Sequence, residues 1–123
     1  MKNIFLLMIV AVFAIAITSC EKPVAPTVST NDATDIQYQA ATLNGNITSD
    51  GGATITSRGF IYSTAQGVTM GGTGVNQIDA GSGDGAFSAD ITGLSPNTTY
   101  YFKAFGVNEV GTTEGNEKSF STL

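Results

Sequence analysis

Side chains that ordinarily carry chemistry are scarce in this sequence. Its 123 residues include no histidine and a single cysteine, Cys20. Without an imidazole, Ser-His and Cys-His nucleophile pairs are excluded, and most transition-metal sites lose their usual ligand. The ten acidic residues remain, but spacing marks out no pair for acid/base work, so no catalytic residue is assigned. The stretch DAGSGDG, residues 79–85, offers Asp79 and Asp84 to a cation. A calcium loop of the EF-hand type needs oxygens at its first, third and fifth positions. Here the third and fifth are Gly81 and Gly83, which bring no side-chain oxygen. Turn formation explains these glycines better, and neither a metal nor a cofactor is expected.

The position of Cys20 says more than its reactivity. Residues 4–17, IFLLMIVAVFAIAI, contain no polar side chain, follow a short start carrying Lys2, and end at Thr18 and Ser19. This run is shorter than the roughly 20 residues a membrane-spanning helix needs. It suits the apolar region of a secretory signal, about 7–15 residues. A sole cysteine also excludes an intrachain disulfide, so the fold must stand on its core. The segment Ile17-Thr18-Ser19-Cys20 resembles the bacterial lipobox. That resemblance implies cleavage before Cys20, a diacylglycerol on its sulfur and acylation of the new amine. Acyl chains contribute about 0.8 kcal/mol per buried CH₂, and two or more make anchoring stable. The implied order is a lipoprotein signal peptide at 1–19, a lipidated cysteine and tether at 20–26, and one domain at 27–123. The implied location is the cell envelope, at the outer membrane, facing either the periplasm or the exterior.

Beyond residue 19 the bases are Lys22, Arg58, Lys103 and Lys118, against all ten acids, a net charge of −6. Such a surface repels phosphates, so no nucleic-acid partner is expected. Contact with the membrane is expected through the lipid anchor alone.

From Pro23 and Pro26 onward no helical periodicity is found. Short alternating runs punctuated by Gly, Asp and Asn predict an all-β domain. Seven strands are expected, at 27–36, 38–48, 56–64, 75–80, 86–92, 99–107 and 116–122. Alternation assigns Ala41, Leu43, Gly45 and Ile47 to the core, with Phe60 and Tyr62, then Phe87, Ala89 and Ile91, then Tyr100, Phe102, Ala104 and Gly106.

The stretch ADITGLSPNTTYYFKAFGVNEVG, residues 89–111, resembles the E–F–G region of fibronectin type III domains. Leu94, Pro96, Thr98 and Tyr100 carry the likeness, at the spacing of a tyrosine corner. The resemblance, which extends weakly over residues 26–123, implies a seven-stranded immunoglobulin-like sandwich of the kind found in Bacteroidetes-type lipoproteins. It also implies that the Tyr100 ring packs inward and its hydroxyl returns to the backbone upstream. Where that family usually has a core Trp in its second strand, this chain has Gly45. Phe60, Tyr62 and Phe102 are therefore expected to fill the space.

On the opposite face of the third and sixth strands, Ile61, Tyr101, Phe105 and Val107 are expected to point to solvent around Lys103. A patch of this kind marks a candidate binding surface, with Tyr101 and Phe105 as aromatic anchors. Two functions remain open. One is a non-catalytic binding or adhesion module for an envelope protein or a glycan. The other is a structural spacer without a ligand of its own. The loops around Asp50, Asp84 and Glu109 are the alternative site.

Overall fold

The computed structural model of the protein describes residues 21–123; Cys20 and the whole apolar run lie outside them. The strands are β1 (Thr27–Thr34), β2 (Ala40–Ser49), β3 (Ser57–Ser63), β4 (Asn76–Asp79), β5 (Gly85–Thr92), β6 (Thr99–Val107), β7 (Thr112–Glu114) and β8 (Lys118–Ser121). No helix occurs among the described residues. One sheet has the order β1-β2-β5; the other runs β4-β3-β6-β7, with β8 also paired to β6. All pairings are antiparallel. The two sheets pack face to face as a sandwich.

Each of the seven expected strands is present, the last as β8, and a short eighth strand, β7, lies ahead of it at residues where none is expected. The Gly115 N–H still donates to the Ala104 carbonyl of β6 at 2.7 Å. At Asn116 and Glu117, between β7 and β8, the pairing lapses, and Thr30 of β1 fills the gap. Its buried hydroxyl accepts the Ala104 N–H at 2.9 Å. The Asn116 side chain in turn accepts the Thr30 N–H at 2.9 Å and donates to the Thr30 carbonyl at 3.3 Å. With this cross-sheet clasp in place, no buried polar atom lacks a partner among the described side chains.

Period-two alternation is what makes the inner faces apolar. Ala41, Leu43 and Ile47 of β2 meet Phe60 of β3, Phe87 and Ile91 of β5, and Tyr100, Phe102 and Ala104 of β6 in one cluster. The corner is formed as the resemblance implies. The Ser95 N–H donates to the Tyr100 hydroxyl at 2.8 Å, and the ring stacks on Phe120 with centroids 5.5 Å apart.

Gly45 sits where the sandwich is tightest. A Cβ there would lie 2.7 Å from the Ala104 Cβ, 3.1 Å from the Phe87 ring and 3.2 Å from the Phe60 ring. Those two rings are 5.1 Å apart. Phe60 fills the space as expected, but its companion is Phe87, while Phe102 packs edge-on against Phe120. Tyr62 is only half-buried at the margin of the cluster.

The strands define two poles. Ten residues of β2 span about 30 Å at 3.3 Å per residue, and they separate loop 50–56 from turn 35–39. Loops 80–84 and 108–111 share the first pole; turns 93–98 and 64–75 share the second. The incoming segment is not a free tether along its whole length. The Val24 N–H donates to the Gly51 carbonyl at 2.9 Å, and Pro26 is buried. The chain therefore enters the sandwich at the first pole.

Candidate functional site

The expected outer patch is brought together by the fold but is not exposed. Ile61 and Phe105 are 0% and 1% accessible, and they form a second apolar cluster with Val68. Met70, Val75, Tyr101 and Val107 pack around it, half-buried. The cover is the β3–β4 connection, residues 64–75, which folds back over the outer face of β3 and β6. Gly67, Gly71 and Gly74 have φ of 78°, 74° and 74°, values that let this loop turn repeatedly without steric cost.

Two glutamates flanking the break between β7 and β8 hold the cover down. Glu117 accepts the Val68 N–H at 2.7 Å and the Gly67 N–H at 3.3 Å. Glu114 accepts the Met70 N–H at 3.3 Å and pairs with Lys103 at 3.4 Å. Carboxylates accepting backbone N–H groups form charge-assisted bonds, stronger than neutral ones. The expectation that Ile61, Tyr101, Phe105 and Val107 form a solvent-facing surface is therefore corrected. Burial of apolar area under the loop outweighs the cost of ordering it. Val68, Met70 and Val75 were the signal, but apolar residues spread among glycines match no strand or helix period.

At the first pole, Asn108 is a buried hub. Its side-chain N–H groups donate to the Val24 and Asp50 carbonyls, both at 2.8 Å. Its oxygen accepts the N–H groups of Val110 and Gly111. A depression of ≈ 410 Å³ beside it is lined by Asp50, Gly52, Thr54, Thr56 and Glu109. Asp84 belongs to a different arrangement. Arg58 donates from Nε to the Ala80 carbonyl at 2.9 Å and from Nη1 to those of Gly83 and Asp84 at 3.0 and 3.2 Å. The guanidinium also lies 5.0 Å from the centre of the Phe87 ring. Three carbonyl oxygens of DAGSGDG are thus engaged by the Arg58 side chain. No group of three or more Cys, Asp or Glu side chains able to hold a metal occurs among the described residues.

The second pole holds a residue that sequence reasoning missed. Of the nine aromatic residues among 21–123, Tyr38 alone is exposed, at 67%. Its turn is anchored on both sides. The Gln37 N–H donates to the Ala40 carbonyl at 2.8 Å, and the Gln37 carbonyl accepts the Leu123 N–H at 3.1 Å. The Gln39 carbonyl accepts the Leu94 N–H, also at 3.1 Å. A depression of ≈ 310 Å³ adjoins the turn, with Asp35, Gln37, Thr42, Asp90 and Thr92 in its lining. The Thr42 hydroxyl donates to Asp90 at 2.6 Å. No basic residue lines this depression. Among the tyrosines, Tyr62 is held above the usual phenol range, first by burial and then by the neighbouring Tyr100.

No protein-family model and no curated protein matches this sequence. Solved structures do match. The sensor domain of the anti-sigma factor RsgI4 of Pseudobacteroides cellulosolvens is similar with a TM-score of 0.58 and 23% identity. That match covers 81% of this chain and 96% of that one. The sixth fibronectin type III domain of human fibronectin type III domain containing protein 3 matches with a TM-score of 0.57 and 21% identity, covering 84% and 88%. A redesigned β-sandwich protein reaches 0.59 at 18% identity, covering 82% and 96%. With the order β1-β2-β5 against β4-β3-β6-β7/β8, the closed tyrosine corner and these neighbours, the chain folds as a fibronectin type III-like, immunoglobulin-like β-sandwich.

Proposed function

We propose that this protein is a cell-envelope lipoprotein, anchored through acylated Cys20, whose sandwich is a non-catalytic binding module for an envelope protein or a glycan. The observation that carries this reading is the polarity of the fold. Val24 and Pro26 bring the chain in at the pole of loops 50–56 and 108–111. Val24 stands four positions after Cys20, a reach of about 14 Å at most. A lipid on Cys20 thus keeps the first pole near the bilayer and presents Tyr38 about 30 Å beyond it. Recognition also fits a fold shared with a domain described as a sensor, and the lack of histidine argues against nucleophilic catalysis.

A second reading, a spacer without a ligand, is favoured by the outer face of β1-β2-β5. That face carries Ser29, Thr42, Asn44, Asn46, Ser88 and Asp90 and no large apolar side chain. Two measurements test these readings. Cys20→Ser should abolish lipid labelling and leave an uncleaved or mislocalised precursor, whereas a mature N-terminus that starts elsewhere, without lipid, refutes the anchor. A binding screen against envelope proteins and glycans should return a ligand for the module, and a blank screen leaves the spacer.

A further inference from the structure

The geometry points to a neutral carbohydrate as the ligand of the second pole, held by Tyr38 and the depression that its chain neighbours Gln37 and Ala40 help to line. This inference rests on the proposed binding role and names the ligand class and the site. Three observations carry it. The first is the isolation of Tyr38. Every other described aromatic residue is packed into one of the two apolar clusters, while this ring stands two-thirds in water. The second is the rigidity of its perch. Hydrogen bonds with Ala40, Leu94 and Leu123 fix the backbone on either side of Tyr38, so little backbone entropy is lost when a ligand docks. A tyrosine also offers a large flat contact with only two torsions to freeze.

The third observation is the chemistry of the lining. Sugar rings present axial C–H groups that stack on an aromatic face and hydroxyls that both donate and accept. Asp35, Gln37, Thr42, Asp90 and Thr92 supply amide, hydroxyl and carboxylate groups for those hydroxyls. The Thr42 bond orients the Asp90 carboxylate in advance and leaves its other oxygen free to accept. With two carboxylates and no base in the lining, uronates, sialic acids and phosphorylated sugars are repelled. The other surfaces do not offer this combination. The first pole is engaged by the incoming chain at Val24, and the outer face of β3 and β6 is roofed by loop 64–75.

The test is titration of the purified protein with neutral cello-, xylo-, manno- and chito-oligosaccharides, with oligogalacturonate as the charged counterpart. Chemical shifts of the backbone amides should move at Gln37–Ala40 and Asp90–Thr92 for at least one neutral series and stay fixed with oligogalacturonate. Tyr38→Ala should weaken binding at least about tenfold, Tyr38→Trp should retain it, and Gln37→Ala should weaken it by a smaller factor. No binding across the neutral series overturns the inference. So do shifts confined to another surface, binding indifferent to Tyr38→Ala, or equal binding of oligogalacturonate. Shift mapping on the unaltered protein decides the matter even if a variant misfolds. If a protein ligand is found that no neutral sugar displaces, the carbohydrate inference fails while the binding role stands.

Discussion

Phe105→Ala separates a buried ring from a surface anchor. In an exposed patch the change would leave stability nearly untouched, as surface substitutions usually stay within about 0.5 kcal/mol. In this structure Phe105 is 1% accessible and packs with Ile61 and Val68, both essentially inaccessible. Fully buried Phe→Ala changes cost about 3–5 kcal/mol. The roof over Phe105 is a single loop that can sink into the vacated space, so the low end, about 3 kcal/mol, is expected. At about 4–8 °C per kcal/mol for a domain of this size, Tm should fall by about 12–24 °C. In urea the midpoint should drop by at least about 1 M with an unchanged slope. Val68→Ala, on the loop itself, should destabilise separately. Because both residues share one cluster, the double variant should depart from additivity by about 0.5–3 kcal/mol. Equilibrium unfolding followed by tyrosine fluorescence measures all three. If Phe105→Ala stays within about 0.5 kcal/mol of the parent and shows no coupling to Val68, the loop does not cover this face in solution. The surface reading of Ile61, Tyr101, Phe105 and Val107 would then return.

Two further expectations follow from the core. Tyr100→Phe keeps the ring on Phe120 but strands the Ser95 N–H; the loss should be about 1–2 kcal/mol in chemical denaturation, and a neutral result would mean that water replaces the hydroxyl at the corner. Tyr62 has its pKa raised above the ordinary 10.0 by burial and by Tyr100, so the folded state favours the neutral phenol. The stability it contributes is complete below pH 10 and is lost as pH rises through its folded-state value. Tyr62→Phe should therefore lose less stability than the parent on going to strongly alkaline pH, and parallel losses in the two proteins would contradict this.

The inner architecture was legible in the sequence because it depends on a strictly local rule. A strand exposes alternate residues to opposite faces, so Ala41, Leu43, Gly45 and Ile47 declared one buried face by their order alone. Tyr100 was equally legible, since its corner is closed with Ser95 only five residues away. Even Gly45 could be placed, although its neighbours could be named only in part. Phe60 was foreseeable, but Phe87 depends on how one sheet lies across the other.

The outer faces obey no local rule. Whether Phe105 meets water depends on the path of residues 64–75, and that path depends on Glu114 and Glu117, some fifty residues further along. Glycine-rich segments accept many paths at similar local energy, so only the assembled sheet selects one. The same holds for Tyr38. Its perch is fixed by three backbone bonds, one to nearby Ala40 and two to Leu94 and Leu123, which are distant in sequence and meet it only at that pole. Alternation and a local turn motif determined the sandwich from sequence. Long-range hydrogen bonds, absent from any window of the sequence, decided which aromatic residue it leaves in water.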